Sequence, residues 1–100
     1  MVHFVVLFRH PADPAAFDRA YWDTHVPLAR QIPHLLDLEV VKIWPGKDGP
    51  SKYYQMATMK FADKESFRTA MKSPENAAAG ANIMGFAADL IEFYTAETVA

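Results

Sequence analysis

The hydrophobic and polar positions along the chain follow two periods, one typical of strands and one typical of helices. Residues 2–9 are β-branched and aromatic and end at the turn-forming sequence HPADP, which predicts a first strand. Apolar runs at 35–44 and 52–61 predict a second and a third strand, joined as a hairpin by PGKDGPS. A last run at 90–95 predicts the closing strand.

The first helix is predicted between residues 14 and 32. Asp13 and Pro14 form a helix-start pair, with an acceptor at the N-cap and a proline at the first helical position. Pro33 ends the helix, and Pro27 removes one backbone donor inside it, which predicts a kink at that point. The core-facing stripe at helical spacing comprises Phe17, Tyr21, Leu28 and Ile32.

Two more helix starts follow the third strand. Asp63 is placed to cap a short helix over 64–72, and Ser73 with Pro74 restarts a helix that we expect to run to Ala88. The resulting order, β-α-β-β-α-β, is that of the ferredoxin-like fold in the α+β class. We therefore expect a single domain over residues 1–100, with a four-stranded antiparallel sheet and its helices on one face.

The strand patterns place apolar residues on both faces of this sheet. In the first strand, Val6 and Phe8 fall on one face, while Val5 and Leu7 fall on the other. An apolar face that no helix covers is expected to find a partner. The C-terminal segment is an alternative cover, but few residues follow Thr95. The pattern therefore predicts a homodimer formed through the sheet face.

Composition and charge exclude several classes of function. Hydrophobic residues make up 51% of the chain and aromatic residues 13%, which argues against disorder. A net charge of −2 provides no basic surface for nucleic acid or for an anionic membrane. The chain has no cysteine, so disulfides and thiolate chemistry are excluded, and its apolar runs are too short to cross a bilayer. We expect a cytoplasmic protein without nucleic-acid or membrane partners.

His25 is the candidate for chemistry within the first helix. It lies one turn from Tyr21 and Trp22, and a histidine between aromatic rings in a partly dry cleft can act as a general acid or base near neutral pH. It can equally bond a substrate oxygen, or it can have a structural role by bonding a carbonyl freed by Pro27. Tyr21, Trp22 and Tyr54 either fill the core or line a pocket for a flat apolar ligand.

Metal and cofactor motifs are missing from the sequence. The four histidines show neither HxH nor HExxH spacing. There is no glycine-rich phosphate loop, and no serine stands in a nucleophile elbow. We therefore expect neither a metal nor a cofactor.

The sequence FDRAYWDTHVPLARQIPHL, residues 17–35, resembles the hallmark of the EthD-like proteins, which are small members of the dimeric α+β barrel superfamily. The hallmark consists of an aromatic residue, Tyr-Trp, Thr-His-x-Pro-Leu and a final Ile-Pro. The resemblance implies a ferredoxin-like protomer that dimerises through its sheet into a barrel. EthD-like proteins accompany an oxidative system in the degradation of ethyl tert-butyl ether, and related barrels include cofactor-free monooxygenases, cyclases and lactone isomerases.

The resemblance carries one functional position onto this chain, His25, with Tyr21 and Trp22 as its neighbours. It implies an oxidoreductase-type enzyme, or an accessory protein of xenobiotic degradation, that acts on a small apolar or aromatic compound in a cleft between the first helix and the sheet. A cyclase or isomerase is the alternative chemistry. A non-catalytic protein that binds a hydrophobic metabolite, and a structural dimer with no ligand, also remain open.

Overall fold

The computed structural model describes residues 1–100 and has the predicted ferredoxin-like order of elements. The four strands form one antiparallel sheet in the order β2-β3-β1-β4. The strands are β1 (Val2–Arg9), β2 (Asp37–Lys42), β3 (Tyr53–Phe61) and β4 (Ile91–Glu97). The helices are α1 (Pro14–Ala20), α2 (Val26–Ala29), α3 (Lys64–Met71) and α4 (Pro74–Ala87), with a π-helical turn at Tyr21–His25 and a 3₁₀ turn at Ala88–Leu90.

The three predicted helix starts have the expected capping geometry. In each, the side chain of the N-cap residue accepts a hydrogen bond from the backbone N–H three residues further on. The distances are 3.1 Å for Asp13, 2.8 Å for Asp63 and 3.0 Å for Ser73. Each bond satisfies a backbone donor that has no partner within its helix.

The first helix departs from its prediction. The sequence predicted one helix from residue 14 to 32 with a kink at Pro27, but the irregularity is a π-helical turn that precedes Pro27, and α2 already ends at Ala29. In that turn the N–H of Val26 donates to the carbonyl of Tyr21, five residues back. A wide turn of this kind adjusts the hydrogen-bond ladder just before the proline, which has no N–H.

The helix-covered face of the sheet holds the hydrophobic core. Phe8 and Phe61 are buried to 1% and 0% exposure, and both lie on this face. Of the predicted stripe on the first helix, three residues are buried and Leu28 is half-buried. The core consists of two clusters, which share Phe4 and Leu38 as partly buried neighbours.

A β-bulge changes the alternation of side chains at the start of β3. The register shifts between Phe8 and Arg9. Phe8 pairs with Gln55 and Arg9 pairs with Tyr53, so Tyr54 has no register partner on β1. The ring of Tyr54 consequently packs against the helix side of the sheet, 5.7 Å from the ring of Phe17. Strict alternation would place Tyr53 on the same face of the sheet as Gln55, and the bulge prevents this.

The opposite face of the sheet, which we call the outer face, carries an apolar row across three strands. Val41, Met56 and Leu7 are register neighbours on β2, β3 and β1. They belong to neither core cluster, and each is half-buried.

No helix of the chain is both long and apolar enough to cross a membrane.

Candidate functional site

An apolar cavity of about 320 Å³ lies between the sheet and the helices α2 and α4. Sixteen residues line it, and thirteen of them are hydrophobic. The remaining three are His25, Asn76 and Gly80, so no charged carboxylate, lysine or arginine faces the cavity. This volume is in the range of small-molecule sites, and its walls suit a neutral, largely apolar compound.

The π-helical turn holds His25 in the wall of this cavity. The ring of His25 lies 5.3 Å from the ring of Tyr21, and its Nδ1 lies 3.2 Å from Oδ1 of Asn82 on α4. An amide oxygen only accepts, so Nδ1–H donates and Nε2 is left as the basic nitrogen of the neutral ring. Burial lowers the pKa of His25, and the hydrogen bond that His25 donates to Asn82 opposes this only in part. The neutral, basic form is therefore favoured near neutral pH.

Tyr21 forms the neighbouring part of the wall. It is 2% exposed, with the ring of Phe8 edge-on at 5.5 Å and the ring of Phe17 stacked at 5.8 Å. Burial raises the pKa of Tyr21 to about 12, and a side-chain interaction with Gln55 works in the opposite direction. The phenol consequently keeps its proton over the whole physiological range and is available as a hydrogen-bond donor.

The cavity has exposed residues at one side. Met84 on α4 and Phe93 on the edge strand β4 both line it, and they are 46% and 44% exposed. Because they belong both to the cavity wall and to the surface, the mouth of the cavity lies between α4 and β4.

The comparisons with known proteins agree with this architecture. The sequence profile of the EthD domain matches residues 9–90. The chain belongs to the EthD family. It is 37% identical over 87 residues to an uncharacterized 11.0 kDa protein in the thcB-thcC intergenic region of Rhodococcus erythropolis, an alignment that covers 87% of this chain and 84% of that one.

Solved structures resemble the EthD chain at two levels of sequence identity. A crystal structure of an ethyl tert-butyl ether degradation (EthD) family protein from Bacillus halodurans is 39% identical, with a TM-score of 0.95 over 99% of both chains. Two others are 18% identical and share the fold. One is a dimeric ferredoxin-like protein of unknown function from Thermobifida fusca, with a TM-score of 0.71 over 97% of this chain and 90% of that one. The other is SnoaB from Streptomyces nogalater, a cofactor-independent oxygenase, with a TM-score of 0.69 over 99% and 92%.

The structure brings two of the four predicted site residues together in the cavity, His25 and Tyr21. Trp22 lies outside the cavity wall and is 46% exposed, because the turn that directs Tyr21 inward directs its neighbour outward. Tyr54 also lies outside the wall, and its hydroxyl donates to the two carboxylate oxygens of Asp18 at 3.0 Å each. The bulge in β3 brings the ring of Tyr54 to the helix side of the sheet, where it packs against Phe17.

Two polar residues next to the site were not anticipated from the sequence, Asn82 and Gln55. Asn82 had a usable signal, because it is the only polar side chain of α4 after the first turn of that helix. Gln55 had none, since a glutamine in a strand ordinarily faces solvent. The histidines are dispersed, and no three His, Asp or Glu side chains are grouped as metal ligands; the expectation that no metal or cofactor is used stays a prediction.

Proposed function

We propose that this EthD protein is a cofactor-independent enzyme that acts on a small neutral apolar or aromatic compound, with His25 as general base. The observation that carries the proposal is the position of the imidazole. Its Nδ1–H is bonded to Asn82, and the ring forms part of an otherwise apolar cavity wall. A base of this kind needs an unprotonated nitrogen at working pH, and the lowered pKa of His25 supports it.

The chemical step that the cavity suits is proton removal from a neutral molecule. His25 takes a proton from a C–H or O–H group, and the electron pair stays on the ligand as an enolate or a phenolate. Such an electron-rich anion is the species that reacts with an electrophile or closes a ring. Oxygenation is one continuation, supported by the fold shared with SnoaB; cyclisation or isomerisation is the other. A role in the oxidative degradation of xenobiotics is consistent with the family's name.

Binding in the cavity is tested with a matched pair of glycine substitutions in α4. A Cβ added at Gly80 or at Gly85 meets no atom within 4 Å, but only Gly80 lines the cavity. Both substitutions to leucine improve helix propensity. Using 2-naphthol as a fluorescent probe, we expect Gly85→Leu to bind like the wild type and Gly80→Leu to lose binding. Equal binding by the two variants would place the probe elsewhere.

Catalysis is separated from simple binding by proton exchange. The neutral ketone 2-tetralone carries exchangeable α-protons, and their replacement in D₂O is followed by NMR. We expect the wild type to accelerate this exchange and His25→Gln to lose about a hundredfold, the lower end of general-base contributions. If 2-tetralone binds and exchanges no faster than in buffer, the second candidate leads, a non-catalytic protein that sequesters a hydrophobic metabolite in the same cavity.

We also propose that the protein is a homodimer formed through the outer face into an α+β barrel. The apolar row of Val41, Met56 and Leu7 supports this, since a row of this kind on an uncovered sheet face is typical of an interface. The Thermobifida fusca neighbour is described as dimeric. The single-domain organisation and the cytoplasmic location expected from the sequence stay predictions.

A further inference from the structure

The side of α4 that borders the cavity is apolar except at one end. The lining residues of this helix recur at the spacing i, i+3, i+4, i+7 and i+8, which is that of a single helix face. They are Asn76, Ala79, Gly80, Ile83 and Met84. Met84 lies at the mouth of the cavity, and Asn76 lies about 12 Å away along the axis of α4, at a rise of about 1.5 Å per residue. The one polar side chain of this face is therefore remote from the mouth.

The amide group of Asn76 is held in one orientation by the end of α3. Its Nδ2 donates to the carbonyl oxygen of Met71 at 3.2 Å and lies 3.8 Å from Sδ of the same residue. A carbonyl oxygen only accepts hydrogen bonds, so the atom of the amide that faces it is the nitrogen and not the oxygen. Met71 does not line the cavity. The nitrogen side of the amide is thus turned toward α3, and the oxygen side is turned away from it.

The oxygen of the same amide is left without a partner in the protein. Asn76 is half-buried, its backbone N–H donates to Oγ of Ser73 at 3.0 Å, and Oδ1 accepts no hydrogen bond. Among the buried side-chain nitrogen and oxygen atoms, only Nε2 of Gln55 lacks a partner, so Oδ1 of Asn76 is not sealed in the core. Because Asn76 lines the cavity and its amide nitrogen is engaged with Met71, the group that it offers to a bound molecule is an acceptor.

The cavity wall holds a second acceptor at a different level along α4. Because Nδ1–H of His25 donates to Asn82, the lone pair of the neutral ring lies on Nε2. Asn82 follows Asn76 by six residues, which is about 9 Å along the axis of α4. Two acceptors at separate levels, with an apolar wall between them, are complementary to an elongated hydrocarbon that carries a hydrogen-bond donor toward each end.

We propose that Asn76 is a specificity-determining residue, which accepts a hydrogen bond from a hydroxyl group of the molecule bound in the cavity. This hydroxyl lies at the end of the molecule opposite to the group that gives its proton to His25. The inference rests on the proposed function and narrows the ligand to elongated, hydroxylated aromatic compounds such as a naphthalenediol. Asn76 takes no proton, and it acts by favouring molecules that have this donor. A compound whose remote oxygen only accepts leaves Oδ1 unpaired and sets two acceptors against each other.

A matched pair of fluorescent compounds tests this role in the wild-type protein. 2,6-Dihydroxynaphthalene carries a hydroxyl group at each end, and 6-methoxy-2-naphthol carries a methyl ether in place of one of them. The ether oxygen accepts but does not donate, while the ring system is the same. We expect the diol to bind about tenfold more tightly than the ether, because a buried acceptor without its donor is costly. Equal binding of the two compounds by the wild type overturns the proposal.

The preference for the diol should depend on Asn76 itself. Asn76→Leu keeps a side chain of similar size and favours the helix but removes the acceptor, so the two compounds should bind with nearly equal affinity. Ser73→Ala is the control, because it removes the cap at the start of the same helix and keeps the oxygen of Asn76. It should retain the wild-type preference. A merely structural role of Asn76 would weaken the binding of both compounds by one factor and leave the ratio of their affinities unchanged, which contradicts the proposal.

The two proposals fail separately. If 2-naphthol binds the wild type and is lost in Gly80→Leu, but the diol and the ether bind alike, the proposed function stands and the role of Asn76 is overturned. The role of Asn76 is also overturned if Asn76→Leu keeps the preference for the diol. If none of the three compounds binds the wild type, the proposed function fails and the role of Asn76 fails with it.

Discussion

Nδ1 of His25 and Oδ1 of Asn82 lie 3.2 Å apart, across the gap between the π-helical turn and α4. This bond decides the chemistry of the imidazole, because it assigns the proton to Nδ1 and the lone pair to Nε2. It also ties the segment that carries the family hallmark to the helix that forms the far wall of the cavity. A structural role and the proposed functional role of His25 are therefore compatible, since only one of its two ring nitrogens is bonded to Asn82.

Changing Asn82 should shift the pKa of His25 in a direction that depends on the replacement. Asn82→Ala removes a bond that raises the pKa, so the pKa should fall further. Asn82→Asp places a carboxylate next to Nδ1 and should raise the pKa, which favours the imidazolium. Titration of the His25 Cε1–H signal by NMR measures the pKa of His25 in each variant. A change of this pKa in the same direction in the two variants would contradict the assigned bond.

The stability of the protein should depend on pH through His25. Burial lowers the folded-state pKa below the unfolded value of 6.5, so the unfolded chain binds a proton more readily. As pH falls through 6.5 toward the folded pKa, the free energy of unfolding should decrease, and below the folded pKa this contribution should level off. Urea unfolding of the wild type and of His25→Gln between pH 8 and pH 5 measures the difference. A wild type that gains stability relative to His25→Gln on acidification contradicts this.

A charge in the centre of the apolar row should disrupt the proposed dimer. Leu7 pairs with Met56 on the outer face, and Leu7→Lys buries an ammonium group in the interface if the outer faces of two copies meet. Analytical ultracentrifugation should show a shift from dimer to monomer or aggregate. Ala77→Lys, at an exposed position of α4, is the matched control and should remain dimeric. A dimer unaffected by Leu7→Lys would exclude the outer face as the contact.

Loss of the cap at the start of α4 should destabilise the fold. Ser73 Oγ accepts from the N–H of Asn76 and donates to the carbonyl of Ala70, so Ser73→Ala removes both bonds. We expect a decrease of about 1–2 kcal/mol in the free energy of unfolding. Ser66→Ala, in α3, removes a hydroxyl that makes no cap bond and serves as the control. If Ser73→Ala lowers the free energy of unfolding no more than Ser66→Ala does, the cap contributes nothing to stability.

Local chemistry explains how much of the fold could be predicted. Strand β1 and the caps at Asp13, Asp63 and Ser73 depend on residues close in sequence, and all were found where the pattern placed them. The hairpin of β2 and β3 and the order of elements follow from the same kind of signal. The end of the first helix was misplaced, since Gln31 and Ile32 bond three residues back in a turn instead of continuing α2.

The parts of the site that were missed depend on contacts between distant segments. The bulge that brings the ring of Tyr54 to the helix side of the sheet, beside Phe17 and outside the cavity wall, arises from the register of β1 against β3, which no local pattern reveals. Asn82 acquires its role only because α4 packs beside the π-helical turn, 57 residues from His25. The histidine itself could be singled out, because the resemblance to the family places it within the hallmark.

NMR titration of the His25 ring, with and without 2-naphthol, is the decisive test of whether this residue is a neutral base in the wall of a ligand-binding cavity. We expect a pKa below 6.5 for His25 in the free protein and a shift of the His25 signals when 2-naphthol is added, in the wild type and in Gly85→Leu but not in Gly80→Leu. A His25 ring that titrates like a solvent-exposed histidine, or whose signals do not change when the probe binds, would contradict this role of His25.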